Sequence, residues 1–294
     1  QVEEMIIGDN NNGQIVSSDL TGGNLDTITS AYFSFYDADV DEVNERLYTA
    51  WYYGIYSMNY DGSALDTIVN YPSGGYSNGI TIDVRDEKLY WVSTDEDLIL
   101  TANYDGSDLD TVLELPSSFY LSDIDIDTTN NKFYFGSWIT SGKGLFSCNL
   151  DGTGMDTIIY DVDCKYLGLN IPLGQILYSN MSGIRRINFD STGDTLLFSF
   201  QAGDMTNSRI VTCDNNGNNF TTYLSGSLDS PHGPVIVTSS TESLFEEHTA
   251  HYSLYPNPTN GKFIIDLGID YADSYITITD IYGKLIDSIT NFRV

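Results

Sequence analysis

Short apolar runs alternate with polar residues along most of the chain and recur at a regular interval. A leucine or phenylalanine followed by tyrosine stands at Leu47, Leu89, Phe133 and Leu177, with spacings of 42, 44 and 44 residues. The runs are rich in aromatic and β-branched residues and are broken by Gly, Asn and Asp, which is typical of strands. A period of roughly 40–45 residues is characteristic of propeller blades. The pattern therefore predicts a β repeat protein.

Each repeat predicts four strands. The first alternates polar and apolar residues, the second holds the Leu-Tyr step, the third ends in Asn-Tyr or Asn-Leu, and the fourth begins at Asp-Thr. An Asp-Gly turn precedes the fourth strand, because Gly adopts positive φ without penalty and Asp can accept hydrogen bonds from turn amides. Four-stranded meanders cannot bury both faces alone, so they are expected to stack radially.

The number of copies predicts an all-β, six-bladed β-propeller with a degenerate last blade, and a five-bladed ring is the alternative. Residues 1–30 lack a first strand, for which Gly233–Thr238 is the candidate closing strand. The last copy, 198–238, allows two alignments. One makes 209–213 its second strand, and the other makes Arg209–Cys213 its third strand and Phe220–Leu224 its fourth.

The order of these motifs resembles the YWTD propeller repeats of the low-density-lipoprotein-receptor class. In that class a strand ending in Asp precedes Leu-Tyr-Trp, and an Asp-Gly-Ser/Thr turn closes the repeat. The Thr-Asp half of the motif is missing from this chain, and the resemblance implies a propeller architecture. The matching residues are Asp41, Asp83 and Asp127, then Leu89-Tyr90-Trp91, and then Asp61-Gly62-Ser63, Asp105-Gly106-Ser107 and Asp151-Gly152-Thr153.

The end of the chain has a different pattern. A polar stretch at 239–251 loses the period and is interpreted as a linker between a propeller at 1–238 and a small β-sandwich-like module at 252–294. The module resembles the C-terminal sorting domain of the type IX secretion system of Gram-negative bacteria, although the later Gly-x-Tyr strand is absent and the copy looks truncated. An ordinary small β-sandwich is the alternative. The matching residues are Tyr255, Pro256, Asn257, Pro258, Gly261, Asp280, Gly283 and Lys284.

This second resemblance implies that the propeller is exported cargo, secreted or held at the outer cell surface, with the secretion machinery as a partner. The chain has 42 acidic and 12 basic residues, which give a formal charge of −30. Such a surface repels nucleic acid and anionic membranes. No apolar run approaches the roughly 18 residues of a membrane helix, so no membrane insertion is expected.

The three cysteines do not indicate a disulfide framework, because their number is odd. Cys148 occupies a position that holds Met58, Ala102 and Ile187 in other copies, which favours a buried thiol. A bridge between Cys148 and Cys164 is the alternative.

Candidate metal ligands lie on the first strands, which line a propeller's axis. Asp37 and Asp39 share one face of their strand with Asp41, and Asp123 and Asp125 are arranged in the same way. Their convergence predicts a calcium site, since Ca²⁺ takes six to eight hard oxygen ligands. In the alternative, the last Asp of each triplet caps the following turn and the others meet channel water.

Exposed aromatic residues are candidates for binding a sugar or peptide, because flat rings stack on ligands at low entropic cost. Packing between blades is their alternative role. The aromatic candidates are Trp51, Tyr52, Tyr53, Trp91 and Trp138.

The repeated Asp-Thr/Ser-apolar string resembles a bacterial O-glycosylation signal, and strand duplication with β-branched threonine is the alternative. The candidate acceptors are Thr27, Thr67, Thr111, Thr157, Thr195 and Ser288.

The sequence contains no nucleophile elbow, phosphate loop or zinc-ligand spacing. The predicted function is therefore a non-enzymatic propeller that binds an unidentified extracellular protein or glycan. A calcium-dependent enzyme resembling the lactonase or lyase propellers is one alternative, and a structural repeat of an extracellular matrix or filament is another.

Overall fold

The computed structural model of the protein describes residues 2–9, 12–29, 35–71, 75–116, 119–138, 142–180 and 183–199, and after these only the strands given below. Contacts divide the chain into two units, Gln1–Ser240 and Thr241–Val294. Among the described residues, no helix is long and apolar enough to cross a membrane.

The first unit contains five four-stranded antiparallel sheets, numbered here as blades 1 to 5. Blade 1 consists of β1 (Val2–Asp9), β2 (Gln14–Asp19), β3 (Asp26–Thr29) and, beside β1, β22 (Pro231–Ser239). Blade 2 consists of β4 (Asp37–Asp41), β5 (Arg46–Trp51), β6 (Gly54–Asn59) and β7 (Asp66–Asn70). Blade 3 consists of β8 (Ser77–Asp83), β9 (Lys88–Ser93), β10 (Leu98–Asn103) and β11 (Asp110–Glu114).

Blades 4 and 5 continue the same order of strands. Blade 4 consists of β12 (Leu121–Asp127), β13 (Lys132–Ser137), β14 (Gly144–Asn149) and β15 (Asp156–Tyr160). Blade 5 consists of β16 (Leu167–Asn170), β17 (Gln175–Asn180), β18 (Gly183–Asn188) and β19 (Thr195–Ser199), with a short 3-10 helix (Ile171–Leu173) between its first two strands.

The predicted propeller is confirmed, but the prediction of six blades is wrong, because the described strands complete only five. The reason is that β22 joins blade 1, where Ile236 pairs with Met5 and Val235 with Ile6. This pairing confirms the predicted closing strand. What remains of the sixth copy is a two-stranded sheet of β20 (Arg209–Thr212) and β21 (Thr221–Ser225).

The register of β20 and β21 shows which part of a blade they represent. Their pairing shifts between Ile210 and Val211, after the second residue of the first strand of the pair. The third and fourth strands of complete blades shift at the same place, as between Ile55 and Tyr56 in blade 2. This agreement favours the alignment in which β20 and β21 are third and fourth strands.

The apolar core lies between successive blades. Trp91 and Leu89 of blade 3 belong to one buried cluster with Ile55 and Val69 of blade 2. Phe133 of blade 4 packs in the same way with residues of blade 3. Blades 2, 3 and 4 thus bury both faces on their neighbours, as radial stacking requires.

The Asp-Gly turns have the predicted geometry and a second role. In blade 3, Asp105 Oδ1 accepts the Ser107 N–H at 2.9 Å, and Gly106 adopts a φ of 80°. A Cβ atom on Gly106 would lie 2.3 Å from the carbonyl oxygen of Ile68, in the outer strand of blade 2. Glycine is therefore required both by the turn and by the close approach of the preceding blade.

Cys148 and Cys164 are both buried and free, so the bridge between them is not formed and the buried-thiol prediction is confirmed. Burial is the main cause that raises the pKa of Cys148 to about 12. Cys213 lies outside the described residues.

The strands described in the second unit form two two-stranded sheets. One pairs β23 (Ser253–Tyr255) with β24 (Ile264–Asp266), and the other pairs β25 (Tyr275–Thr279) with β26 (Leu285–Thr290).

Candidate functional site

The aspartates on the inner strands bridge neighbouring blades. Asp37 and Asp39 project from β4, and their Oδ2 atoms accept the backbone N–H groups of Ile80 at 3.0 Å and Ile82 at 2.9 Å in blade 3. An innermost strand has no further strand to satisfy this edge, so the carboxyl groups supply the missing acceptors.

Blades 4 and 5 repeat the arrangement. Asp123 Oδ2 accepts the Leu167 N–H at 2.7 Å, and Asp125 Oδ2 accepts the Leu169 N–H at 2.9 Å. The inner edges of blades 2 and 4 therefore each provide two acceptors to the blade that follows.

The inner strand of blade 3, β8, has small residues at the positions that contact these carboxyl groups. Thr81 Oγ1 donates to Asp39 at 3.2 Å and lies 3.5 Å from an oxygen of Asp125. Gly79 leaves no space, because a Cβ atom there would lie 2.5 Å from both Cα and Oδ1 of Asp123. Alternation of Asp-rich and small-residue strands thus lets the inner strands of three blades approach closely.

The third aspartate of each row has a different role, which confirms the predicted turn cap. Asp41 Oδ1 accepts the N–H groups of Val43 and Asn44, each at 3.0 Å. Asp127 caps its turn in the same way. In blade 3, the Arg85 side chain hydrogen-bonds Asp83 at 2.7 Å, and this contact is the main cause that lowers the pKa of Asp83.

Burial raises the pKa of the bridging carboxyl groups. Removal from water, and next the charge on Asp125, raise the pKa of Asp39 to about 7. Burial also raises the pKa of Asp123 to about 7 and that of Asp125 above its usual range. Asp37 has a pKa well above normal because it is buried and faces the charge of Asp123. The two side chains also interact directly, since a hydrogen bond from Asp37 lowers the pKa of Asp123 and partly offsets the effect of burial.

This arrangement does not fit the predicted calcium site. Among the described residues, no three acidic, histidine or cysteine side chains come together in a group that would hold a metal ion. The candidate oxygens of Asp37, Asp39, Asp123 and Asp125 instead accept backbone N–H groups.

A cavity of about 320 Å³ opens on the side of the ring where the inner strands of blades 2 to 5 begin. Its most buried lining residues are Asp123, 5% exposed, and Ser122, 4% exposed. Its wall contains five aromatic rings, of Tyr36, Tyr76, Tyr120, Trp138 and Tyr166. We call this cavity the aromatic pocket.

Hydrogen bonds between blades fix the wall of the aromatic pocket. Asn78 donates its side-chain N–H to Thr94 Oγ1 at 2.8 Å, and Thr94 Oγ1 donates to the Leu121 carbonyl at 2.6 Å. Ser122 Oγ donates to the Cys164 carbonyl at 2.5 Å. The pocket is therefore preformed by contacts between blades 3, 4 and 5.

Lys165 contributes a cation to the aromatic pocket. Its ammonium nitrogen lies 5.4 Å from the centre of the Trp138 ring and 5.1 Å from that of Tyr166. Both distances are typical of cation–π contacts. Burial lowers the pKa of Lys165, while nearby carboxyl groups add to burial in raising the pKa of Tyr166.

The structure separates the aromatic residues selected from the sequence. Trp138 lines the aromatic pocket, and Tyr52 contacts it from outside, with its ring 4.9 Å from that of Tyr76. Trp91 is fully buried and donates its indole N–H to the Tyr71 hydroxyl at 2.8 Å, so it is a core residue. Trp51 and Tyr53 pack on each other at 5.2 Å, outside the pocket lining.

Sequence reasoning missed Tyr36, Tyr120, Tyr166 and Lys165. One available signal was that a tyrosine stands directly before each inner strand of blades 2 to 5. The strand pattern itself did not include these loop positions.

The candidate glycosylation sites Thr27, Thr67, Thr111, Thr157 and Thr195 are exposed at the start of the outermost strands. The backbone N–H groups of the first four each donate to the preceding aspartate at 2.8 Å. Of Ser288 and Tyr255, only the backbone, in β26 and β23, is described. The other sorting-motif residues, Pro256, Asn257, Pro258, Gly261, Asp280, Gly283 and Lys284, lie outside the described residues.

Comparisons with known proteins identify the tail. Residues 253–293 match the family of secretion system C-terminal sorting domains. The match indicates cargo of type IX secretion, secreted or attached to the cell surface, in Bacteroidetes. A search of curated proteins found no match.

Solved structures show the fold of the first unit. A chain in the crystal structure of a nidogen/laminin complex is 14% identical, with a TM-score of 0.66, over 80% of this chain and 98% of that one. TolB from Acinetobacter baumannii is 9% identical, with a TM-score of 0.60, over 80% and 66%. A gluconolactonase from Xanthomonas campestris is 14% identical, with a TM-score of 0.52, over 75% and 82%. At these identities, the similarity extends to the β-propeller fold alone.

Proposed function

We propose that the chain is an exported, non-enzymatic binding protein and that the aromatic pocket is its ligand-binding site. The observation that carries this proposal is the concentration of five aromatic rings around the half-buried Asp37 and the buried Asp123 in one cavity. Pockets lined mainly by apolar and aromatic groups, with a few placed polar groups, are the usual form of a ligand site.

The location of the aromatic pocket supports this role. Several exposed tyrosines surround its opening, including Tyr76 at 43% and Tyr120 at 42% exposure. Rings that are fixed by neighbouring blades offer contact area at low entropic cost. An extracellular protein loop or a glycan end could enter from this side without a change in the ring.

The alternative of a calcium-dependent enzyme has no specific support. The gluconolactonase shares only the fold, and the described residues form no metal-binding group. No observation favours the matrix or filament alternative over a binding role.

The test is a screen of the full chain against glycan and peptide arrays, followed by titration of each hit. Trp138→Ala and Tyr120→Ala remove rings from the aromatic pocket, and we expect each to weaken binding by about tenfold or more. Tyr160→Ala is the matched control, because Tyr160 is 62% exposed and is not among the pocket residues. If every hit binds the two pocket variants as tightly as the control, the proposed site is wrong.

A further inference from the structure

The aromatic pocket contains two buried carboxyl groups whose acceptor atoms face no cation within the described residues. Besides the hydrogen bond between their side chains, Asp37 and Asp123 accept hydrogen bonds from backbone N–H groups, and neither forms a salt bridge in the described part of the chain. A buried carboxyl pair without a counter-charge is held together by a shared proton. An entering cation can take over the role of that proton.

The walls of the same pocket also favour positive charge. The Lys165 ammonium group already lies over the rings of Trp138 and Tyr166. Further tyrosine rings, among them Tyr76 and Tyr120, line the remaining wall. A cation is attracted to such faces, most strongly where water is excluded.

The charge on the rest of the protein also favours a positively charged ligand. The formal charge of −30 attracts basic molecules and accelerates their encounter with the protein. Neutral or acidic ligands gain no such steering.

We propose that the aromatic pocket binds an alkylammonium group, presented as the lysine side chain of a basic protein partner. This inference rests on the proposed function and adds the chemistry of the ligand. The ammonium group lies between the aromatic rings and the Asp37–Asp123 pair. The shared proton leaves to solvent as the ammonium enters, so that charge is conserved in the pocket.

Binding should therefore strengthen as pH rises from about 5 to about 7, because proton release becomes easier. The groups that face the carboxyl pair take part in this balance. Cys164 lies beside Asp123, and Asp39 and Asp125 extend the same rows of carboxyl groups. The titratable groups on the wall are Tyr36, Tyr76, Asp95, Tyr120, Lys165 and Tyr166. Of these, Lys165 already carries positive charge, so it opposes a second cation and limits the affinity.

The test compares three probes by calorimetric titration of the full chain. The first is the peptide Gly-Gly-Lys-Gly-Gly with blocked ends, the second is the same peptide with an Nε-acetylated lysine, and the third is n-butylammonium. We expect the lysine peptide to bind at least about tenfold more tightly than its neutral acetylated form. Because one proton is released, its affinity should increase by up to about tenfold per pH unit between about pH 5 and pH 7, with proton release visible as a dependence of the heat on the buffer.

Variants locate the effect. Trp138→Ala should weaken the lysine peptide, and Tyr160→Ala should not. Asp37→Asn should remove most of the pH dependence, and its melting curve shows whether it has folded. The comparison of the two peptides on the unaltered protein requires no variant.

Equal binding of the charged and acetylated peptides, or no detectable binding of either, overturns this inference. If n-butylammonium binds but the lysine peptide does not, the pocket is still an ammonium site. The inference that a lysine of a protein partner supplies the ammonium group is then wrong. Neutral glycans that bind the control but not Trp138→Ala would leave the proposed function intact and refute the cationic ligand.

Discussion

Asp39→Asn tests whether the bridging carboxyl groups are held in the protonated form. Asp39 accepts the Val40 N–H at 2.7 Å through one oxygen and the Ile82 N–H at 2.9 Å through the other. An asparagine keeps only one acceptor atom, so one of these N–H groups loses its partner. The loss of one buried hydrogen bond is expected to destabilise the fold by about 1–3 kcal/mol.

A second effect of Asp39→Asn stabilises the folded protein and depends on pH. Burial raises the pKa of Asp39 from 3.8 to about 7, so ionising it in the folded protein costs about 4 kcal/mol at about 1.4 kcal/mol per pKa unit. Because the folded pKa is the higher one, the stabilising contribution of Asp39 is complete below its ordinary pKa and is lost as pH rises to about 7. The variant has no such loss. The wild type should therefore lose about 2.5 kcal/mol relative to Asp39→Asn between about pH 5 and pH 7.5.

The assay is urea unfolding of both proteins at intervals across this pH range, with the free energy of unfolding extrapolated to water. At the upper end, we expect the variant to be at least as stable as the wild type. Asp105→Asn is the control, since Asp105 is exposed in a turn and the Ser107 hydroxyl lowers its pKa. Its difference from the wild type should stay constant over this range. A constant difference for Asp39→Asn, or one that changes in the opposite direction, would refute the reasoning.

Three further predictions concern the ring. Gly79→Ala should destabilise the fold by about 1–3 kcal/mol or more, because its Cβ would overlap Asp123, whereas Gly168→Ala meets nothing within 4 Å and should be close to neutral in the same urea titration. Cys148 and Cys164 should resist a thiol reagent until the protein is unfolded, and peptide mapping that finds either labelled in the native state would contradict their burial. The glycosylation hypothesis predicts additional mass on peptides that contain the outer-strand threonines in protein from the native host, and an intact mass equal to the bare chain would reject it.

The repeat pattern was sufficient to predict the blades but not their number. Regular spacing of the Leu-Tyr step identifies second strands, and the pairing of neighbours then follows from the meander. The closing strand β22 was predictable, because residues 1–30 lack a first strand, but the last copy was counted as a blade although its described strands form only the two-stranded sheet of β20 and β21. Only the pairing register shows that β20 and β21 correspond to an outer pair.

The positions of the candidate site residues could be predicted from the sequence better than the roles of their side chains. Strand parity placed Asp37, Asp39, Asp123 and Asp125 on the inner edges, but parity cannot show that each carboxyl group meets an N–H of the next blade. For Trp91, the sequence left ligand binding and packing between blades as alternatives, and the structure shows packing. In blade 3 both Tyr90 and Trp91 are buried, since neighbouring blades cover both faces of the sheet.

Hydrogen–deuterium exchange with a bound ligand tests the central claim most directly, because it reports which side of the ring is covered. Once the array has supplied a ligand, the account predicts slower exchange in the segments around Tyr120, Trp138 and Lys165. The Asp-Gly turns at Gly106 and Gly152, at the opposite ends of their strands, should exchange as in the free protein. Protection of those turns, with no change around the aromatic pocket, would contradict the assignment of the binding site.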